Sequence, residues 1–155
     1  MQQCELAKTY RDCAHAPKAL EPCLFEGARE VLLELRQRGY WLAIATGKSR
    51  LGLDRDLKYL NLDELFIASR CADETASKPN PQMLEELMDV LNVTPLQTLM
   101  IGDTEYDMQL ALNADVDALG VSYGAHAAYQ LEGSHVRGIL QNIQELPIWL
   151  EQHDA

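Results

Sequence analysis

Two aspartates, Asp103 and Asp107, follow an apolar segment and stand four residues apart. Residues 98–101 (TLMI) predict a strand that runs into Gly102 and Asp103, and a helix is predicted from about Glu105. The i, i+4 spacing places both carboxylates on one side of that helix, towards the carboxyl edge of the sheet. Because Mg²⁺ prefers hard oxygen ligands, the pair is a candidate magnesium site. Acids at a helix N-terminus are also favoured by the helix dipole, so the pair alone does not establish a metal site.

Lys78 is framed by two prolines in the segment Lys78-Pro79-Asn80-Pro81. Pro79 favours an extended backbone at the residue before it, and Pro81 suits the first position of the helix that follows. This frame can direct an ammonium group at a fixed point, where its charge offsets carboxylates and phosphate. Taken by itself, Lys78 is more simply interpreted as a solvated loop lysine.

Thr46 follows the apolar segment 40–45 (YWLAIA), which predicts a buried strand. Its hydroxyl and the amides of Gly47 and Lys48 can hold phosphate oxygens at the start of the next helix. The simpler interpretation is a helix cap, a role that Thr and Ser commonly take. A P-loop is excluded, because its first glycine would fall at Leu42 within the strand.

From residue 24 onward, strand-like and helix-like segments alternate, which predicts an α/β fold with a mostly parallel sheet. The predicted strands are 40–45, 65–69, 98–101, Asp117–Val121 and a short one at 138–140, and the predicted helices are 27–38, 49–60, 81–92, Glu105–Asn113 and a short one after Asn142. Ligands bind at the carboxyl ends of strands in such sheets. We therefore expect Thr46, Lys78 and Asp103 to face one cleft.

The composition bounds the classes of partner. With 155 residues and 47% hydrophobic residues, the chain has the size and core of one domain. Its formal net charge of −11 argues against a nucleic-acid partner, which needs a basic face. An anionic substrate stays compatible, because a bound cation reverses the local field. No apolar run approaches the roughly 18 residues that span a bilayer, so no membrane partner is expected.

The four cysteines favour a cytoplasmic location. Cys4, Cys13 and Cys23 lie near His15, but their spacing fits no common zinc pattern. We interpret them and Cys71 as free thiols in a reducing cytosol. The N-terminus has no uninterrupted apolar stretch and does not predict a signal peptide.

The order of these residues resembles motifs two, three and four of the haloacid dehalogenase superfamily. In chain order they are a strand ending at Thr46, then Lys78-Pro79, then a strand followed by Gly102-Asp103-x-x-x-Asp107. Four segments are similar to sequences of its phosphoglycolate-phosphatase-like branch: LAIATGKS, ASKPNPQM, LMIGDTEYD and ALGVSYG. The resemblance covers about residues 24–150. Response-regulator receivers share the style of fold, but their residues follow the order Asp, Thr, Lys. The order in this sequence excludes that alternative.

The resemblance implies a Rossmann-like three-layer core and Mg²⁺-dependent hydrolysis of a small phosphorylated metabolite through an aspartyl-phosphate. It implies phosphate binding by Thr46, Gly47 and Lys48, and charge compensation by Lys78. It also implies Mg²⁺ binding by Asp103 with Asp107 in support, and a tight backbone turn at Gly102.

The sequence departs from the family at its first motif, a strand ending in Asp-x-Asp-Gly-Thr that supplies the nucleophile. No such sequence precedes Thr46, and the Asp-x-Asp at Asp54-Arg55-Asp56 lies in a predicted helix. We interpret that triplet as a solvated helix face. Residues 1–22 are interpreted as the remnant of a helical cap and linker outside the main sheet, and residues 23–155 as the core.

Several expectations follow from this departure. The central first strand of the sheet is expected to be missing, so that YWLAIA and TLMI pair directly or a homo-oligomer fills the gap. Mg²⁺ should bind weakly or not at all, and the chain alone should be inactive. The alternative is a non-catalytic module, derived from the family, that binds an anion, a metal or a partner. Assaying hydrolysis of a generic aryl phosphate separates the two.

Overall fold

The computed structural model of the chain describes residues 4–7, 10–12 and 21–153. Its strands are β1 (Cys4–Ala7), β2 (Tyr10–Asp12), β3 (Pro22–Leu24), β4 (Trp41–Thr46), β5 (Ala68–Cys71), β6 (Thr98–Gly102), β7 (Asp117–Val121) and β8 (Val136–Leu140). Its α-helices are α1 (Ala28–Gln37), α2 (Arg50–Tyr59), α3 (Gln82–Leu91), α4 (Glu105–Asn113) and α5 (Leu146–His153). Helices and strands therefore alternate from α1 to β7, as the sequence predicts, whereas β7 and β8 follow each other with no α-helix between them.

Six strands form one sheet in the order β5-β4-β1-β6-β7-β8, and every neighbouring pair is parallel. Strands β2 and β3 form a separate antiparallel pair. Because all strands of the larger sheet run the same way, the residues that follow β4 and β6 emerge at its carboxyl edge. That edge is where open α/β sheets bind ligands.

The two faces of the sheet are covered by different helices. Alternate residues of a strand point to opposite faces, so Leu42 and Ile44 of β4 join one buried cluster while Ala43 and Ala45 join the other. The first cluster contains buried residues of α1, α2 and α5, and the second contains those of α3 and α4. This is the predicted three-layer, Rossmann-like arrangement.

The centre of the sheet differs from expectation. Strand β1 lies between β4 and β6, where Leu6 is in register with Ala43 on one side and Met100 on the other. The expectations of a missing central strand and of direct pairing between YWLAIA and TLMI are therefore wrong. Residues 1–22 do not lie wholly outside the sheet either. The physical reason is that buried strand edges need backbone partners, and a short segment supplies them on both sides. The homo-oligomer expected to fill an open gap loses its structural reason.

Boundaries differ by a few residues. Strand β5 is Ala68–Cys71, whereas residues 65–69 were predicted, and β8 begins at Val136, two residues before the predicted start. Helix α2 begins at Arg50 because the Ser49 hydroxyl accepts a hydrogen bond from the Gly52 amide at 3.2 Å.

No described helix is both long enough and apolar enough to cross a membrane. Cys71 is a free thiol, as predicted, and burial raises its pKa to about 11. Cys23, by contrast, is disulfide-bonded, so the expectation of free thiols throughout is wrong for this residue.

Candidate active site

Thr46 ends β4 and presents its hydroxyl in a defined direction. The residue is 5% exposed, and its Oγ1 accepts a hydrogen bond from the Lys48 amide at 3.2 Å. The hydroxyl accepts this bond through a lone pair, so its proton can still be donated to a ligand. At Gly47, no atom of the described residues other than its chain neighbours lies within 4 Å of the position that a Cβ would take. The backbone of Gly47 is therefore open to the approach of a ligand.

Lys48 serves the fold with its side chain. Its Nζ lies 2.6 Å from Oδ2 of Asp56, whose side chain is fully buried. Arg55 donates two further hydrogen bonds to Asp56 Oδ1, at 2.9 and 2.7 Å. Burial alone raises the pKa of Asp56, but the hydrogen bonds from Lys48 and Arg55 outweigh it and hold the pKa below its ordinary value. The interpretation of this triplet as a solvated helix face is wrong for Asp56 and right for Asp54, which is 60% exposed.

Lys78 connects the ends of two strands. Its side chain is 13% exposed, and its ammonium group donates to the Ala45 carbonyl at 3.0 Å and to Oδ1 of Asp107. Ala45 belongs to β4 and Asp107 to the helix that follows β6. An ammonium group has three donors. Within the described part of the chain, these two bonds fix Lys78 and leave its third donor for a ligand.

Asp107 uses both carboxylate oxygens within the protein. Oδ1 accepts from Lys78, while Oδ2 accepts from the Thr104 amide at 3.0 Å and the Thr104 hydroxyl at 2.8 Å. This is a capping box at the start of α4. A Cβ on Gly102 would lie 2.3 Å from the Asp107 Cβ, so glycine is needed there for close packing. Asp107 is thereby suited to hold Lys78 in place.

Asp103 is enclosed by the loop after β7. It is 8% exposed, and its Oδ2 accepts from the Ala125 amide at 2.9 Å. The His126 amide donates to the Asp103 carbonyl at 3.1 Å. A Cβ on Gly124 would lie 2.1 Å from the Asp103 Cβ. Burial and the Asp103 charge also raise the pKa of the neighbouring Tyr123 above its ordinary value. This loop therefore sets the position of Asp103.

The predicted residues meet at one edge of the sheet, but only some of them line its cleft. A cleft of about 320 Å³ is lined by Gly47, Ala72, Ser77, Lys78, Met83, Thr104, Tyr106 and Asp107. Thr46 and Asp103 are buried at the strand ends and are not among these lining residues. The described residues contain no cluster of three or more His, Cys, Asp or Glu side chains suited to a metal ion.

The family model for haloacid dehalogenase-like hydrolases matches residues 1–121. The chain belongs to this family. It is 37% identical over 122 residues to pyrophosphatase PpaX of Halalkalibacterium halodurans, covering 77% of the chain and 56% of that protein. It is 35% identical over 116 residues to a phosphoglycolate phosphatase of Colwellia psychrerythraea, covering 74% of the chain and 50% of that protein. The chain thus spans about half the length of these curated relatives.

A solved structure of a protein described as a predicted phosphatase from Clostridium acetobutylicum superposes on this haloacid dehalogenase-like core with a TM-score of 0.77. The two are 26% identical, and the match covers 84% of this chain and 61% of the other. This likeness confirms the predicted Rossmann-like α/β fold.

Sequence reasoning missed three features of this haloacid dehalogenase-like site. Ala125 and His126 hold Asp103 by backbone amides, which carry no side-chain signal. Tyr106 lines the cleft. From the sequence, only the aspartates of this helix were considered and not the tyrosine between Glu105 and Asp107. Asp56 did have a signal, because it lies three residues after Leu53 and four before Leu60, on the apolar stripe of α2.

Proposed function

We propose that this chain is the core of a phosphatase that acts on a small phosphate monoester with the help of Mg²⁺. The observation that carries the proposal is Lys78, whose ammonium is fixed between the Ala45 carbonyl and the Asp107 carboxylate beside the open backbone of Gly47. The relatives named as a pyrophosphatase and a phosphoglycolate phosphatase support the hydrolytic release of phosphate.

Phosphate binding follows from the donors at this edge of the sheet. Lys78 has one ammonium donor left for a phosphate oxygen and supplies the positive charge that offsets the anion. Thr46 can donate its hydroxyl proton, and Gly47 can donate its amide at the start of the turn into α2. Asp107 acts through Lys78, whose ammonium group donates to its Oδ1.

The described residues fit Mg²⁺ in part. When bound, the ion would neutralise charge on the phosphoryl group. Asp103, held by the Ala125 amide, is the carboxylate best placed to hold it. Mg²⁺ keeps several waters and needs near-octahedral oxygen geometry, so one carboxylate with waters and phosphate binds it weakly. We therefore expect Mg²⁺ to bind mainly together with the anion.

We also propose that the chain by itself binds phosphate without turnover. The resemblance assigns the nucleophile to an Asp-x-Asp that ends the first strand, and no Asp-x-Asp precedes Thr46. Strand β1 is followed in the sequence by Lys8 and Thr9. Without a carboxylate nucleophile, no aspartyl-phosphate forms.

Calorimetry and a hydrolysis assay test this function. Methylphosphonate, whose C–P bond resists hydrolysis, should bind in the presence of Mg²⁺, and p-nitrophenyl phosphate should not be hydrolysed. Lys78→Met should abolish binding, whereas Lys58→Met, on the exposed side of α2, should not. Circular dichroism checks that both variants fold, and Lys78→Gln serves if Lys78→Met does not fold. Equal binding by a folded Lys78 variant and the native chain contradicts the phosphate site. Hydrolysis by the native chain contradicts the absence of a nucleophile.

A further inference from the structure

Tyr106 occupies a position in the cleft that the proposed phosphate site does not use. It is the second residue of α4, directly before Asp107, and lines the cleft with Lys78. Its side chain is 51% exposed. A half-exposed aromatic ring next to a bound phosphate can contact the group to which the phosphate is attached. In a monoester, that is the leaving group.

Polar and apolar residues both line the cleft. The lining contains the polar residues Ser77, Lys78, Thr104 and Asp107, together with Tyr106, Ala72 and Met83, of which Met83 is fully buried. A ligand whose phosphate meets Lys78 therefore has Tyr106 as the exposed aromatic residue in the same lining. Such a surface favours a flat, apolar substituent.

The ring of Tyr106 is supported from the adjacent loop. The ring centroids of Tyr106 and His126 lie 6.1 Å apart, with an interplanar angle of 59°. The imidazole of His126 is itself held, because its Nδ1 accepts from the Glu105 amide at 3.2 Å. Its backbone amide donates to the carbonyl of Asp103. A supported ring loses less freedom when a ligand stacks on it, which favours binding.

Charge argues against an anionic leaving group. Lys78 is the only cation among the described residues that line the cleft, and it is already paired with Asp107. Nearby cations have carboxylate partners of their own, Lys48 with Asp56 and Arg50 with Glu74. A second phosphate or a carboxylate on the leaving group meets no further described cation in this cleft. It would instead face the Asp107 carboxylate.

We propose that Tyr106 determines specificity and that the core prefers phosphate monoesters whose leaving group is uncharged and aromatic. The proposal rests on the proposed function, because it takes Lys78 as the phosphate ligand. It distinguishes the expected preference of this core from those that the names pyrophosphatase and phosphoglycolate phosphatase indicate for its relatives, whose leaving groups are charged.

The test compares phosphonates, which bind without being consumed. In calorimetry with Mg²⁺, phenylphosphonate should bind roughly 2- to 12-fold more tightly than methylphosphonate, the gain expected for one aromatic pair. Methylenediphosphonate should bind no more tightly than methylphosphonate. Tyr106→Ala should remove the preference for phenylphosphonate and leave methylphosphonate affinity unchanged, while Tyr106→Phe should keep it. Tyr59→Ala is the matched control, because Tyr59 is 54% exposed and ends α2.

Each outcome has a distinct meaning. Equal affinity for the phenyl and methyl compounds, or an equal loss of both in Tyr106→Ala, overturns the role of Tyr106 while the phosphate site stands. Tighter binding of methylenediphosphonate than of phenylphosphonate overturns the preference for an uncharged leaving group. If no phosphonate binds in a Lys78-dependent manner, the proposed function fails, and this proposal fails with it.

Discussion

Replacing Asp56 with asparagine removes the charge from a carboxylate that the fold buries completely. The amide keeps the shape of the side chain, so the change tests charge and hydrogen bonding with little effect on packing. Asp56 accepts from Lys48 Nζ at 2.6 Å and from Arg55 at 2.9 and 2.7 Å. The Asp56–Lys48 pair joins α2 to the turn that begins at Thr46, so its loss should destabilise this region first.

The magnitude follows from the exposure of the two partners. Arg55 is 67% exposed, and an exposed ion pair contributes at most about 1 kcal/mol. Lys48 is 25% exposed, and a hydrogen bond to a charged group contributes about 1.5–3 kcal/mol. We therefore expect Asp56→Asn to lower the free energy of unfolding by about 2–4 kcal/mol. For a domain of this size, that lowers Tm by roughly 5–15 °C.

Urea unfolding followed by circular dichroism measures the change, with Asp54→Asn as the matched control. Asp54 belongs to the same helix, is 60% exposed and pairs with Arg50 at 3.2 Å, so its replacement should cost less than about 1 kcal/mol. In a double-mutant cycle, Lys48→Met and Asp56→Asn together should cost less than the sum of the single changes. Equal, small losses in the free energy of unfolding for Asp54→Asn and Asp56→Asn would refute the burial assigned to Asp56.

Three further changes test other parts of the structure. Hydrogen bonds from Arg50 lower the pKa of Glu74 from 4.5 to about 2. This contribution to stability is therefore present above about pH 4.5 and lost towards pH 2. Glu74→Gln should therefore make the midpoint of urea unfolding depend less on pH over that range. An equal pH dependence of the midpoint in the variant and the native chain contradicts this role of Glu74. Leu6→Pro removes a backbone donor from the centre of the sheet and should lower Tm sharply; an unaltered Tm shows that β1 does not pair there in solution. Gly124→Ala places a Cβ 2.1 Å from the Asp103 Cβ, so it should weaken binding of methylphosphonate that depends on Mg²⁺, measured by calorimetry. Undiminished binding argues against the loop as the support of Asp103.

The layered fold could be predicted because its signals are local. The alternation of strands and helices, the glycine that ends the first helix and the Ser49 cap all appear within a few residues of sequence. The faces of β4 could not be assigned in this way, because its residues from Leu42 to Thr46 are all buried. A strand covered on both sides shows no alternation of polar and apolar residues. The partner helices of each face follow only from the packed structure.

The central strand was missed because a strand of four residues has almost no signal of its own. Cys4–Ala7 carries one apolar pair and one acid, and nothing local distinguishes it from a helix or linker. Its place between β4 and β6 is decided by the backbone partners that those two strands require. Such a requirement belongs to the whole sheet and cannot be read from the segment.

The sequence by itself determined the family and the order of its motifs, because Thr46, Lys78 and Asp103 each follow a recognisable element. Tertiary structure alone decided what each side chain does. In the folded chain the Lys48 side chain pairs with Asp56, and Lys78 bonds to Asp107, which lies 29 positions away in the sequence. The reason is that charged groups which leave water need partners within about 3–4 Å. Residues far apart in the sequence come that close only when the sheet and its helices have packed.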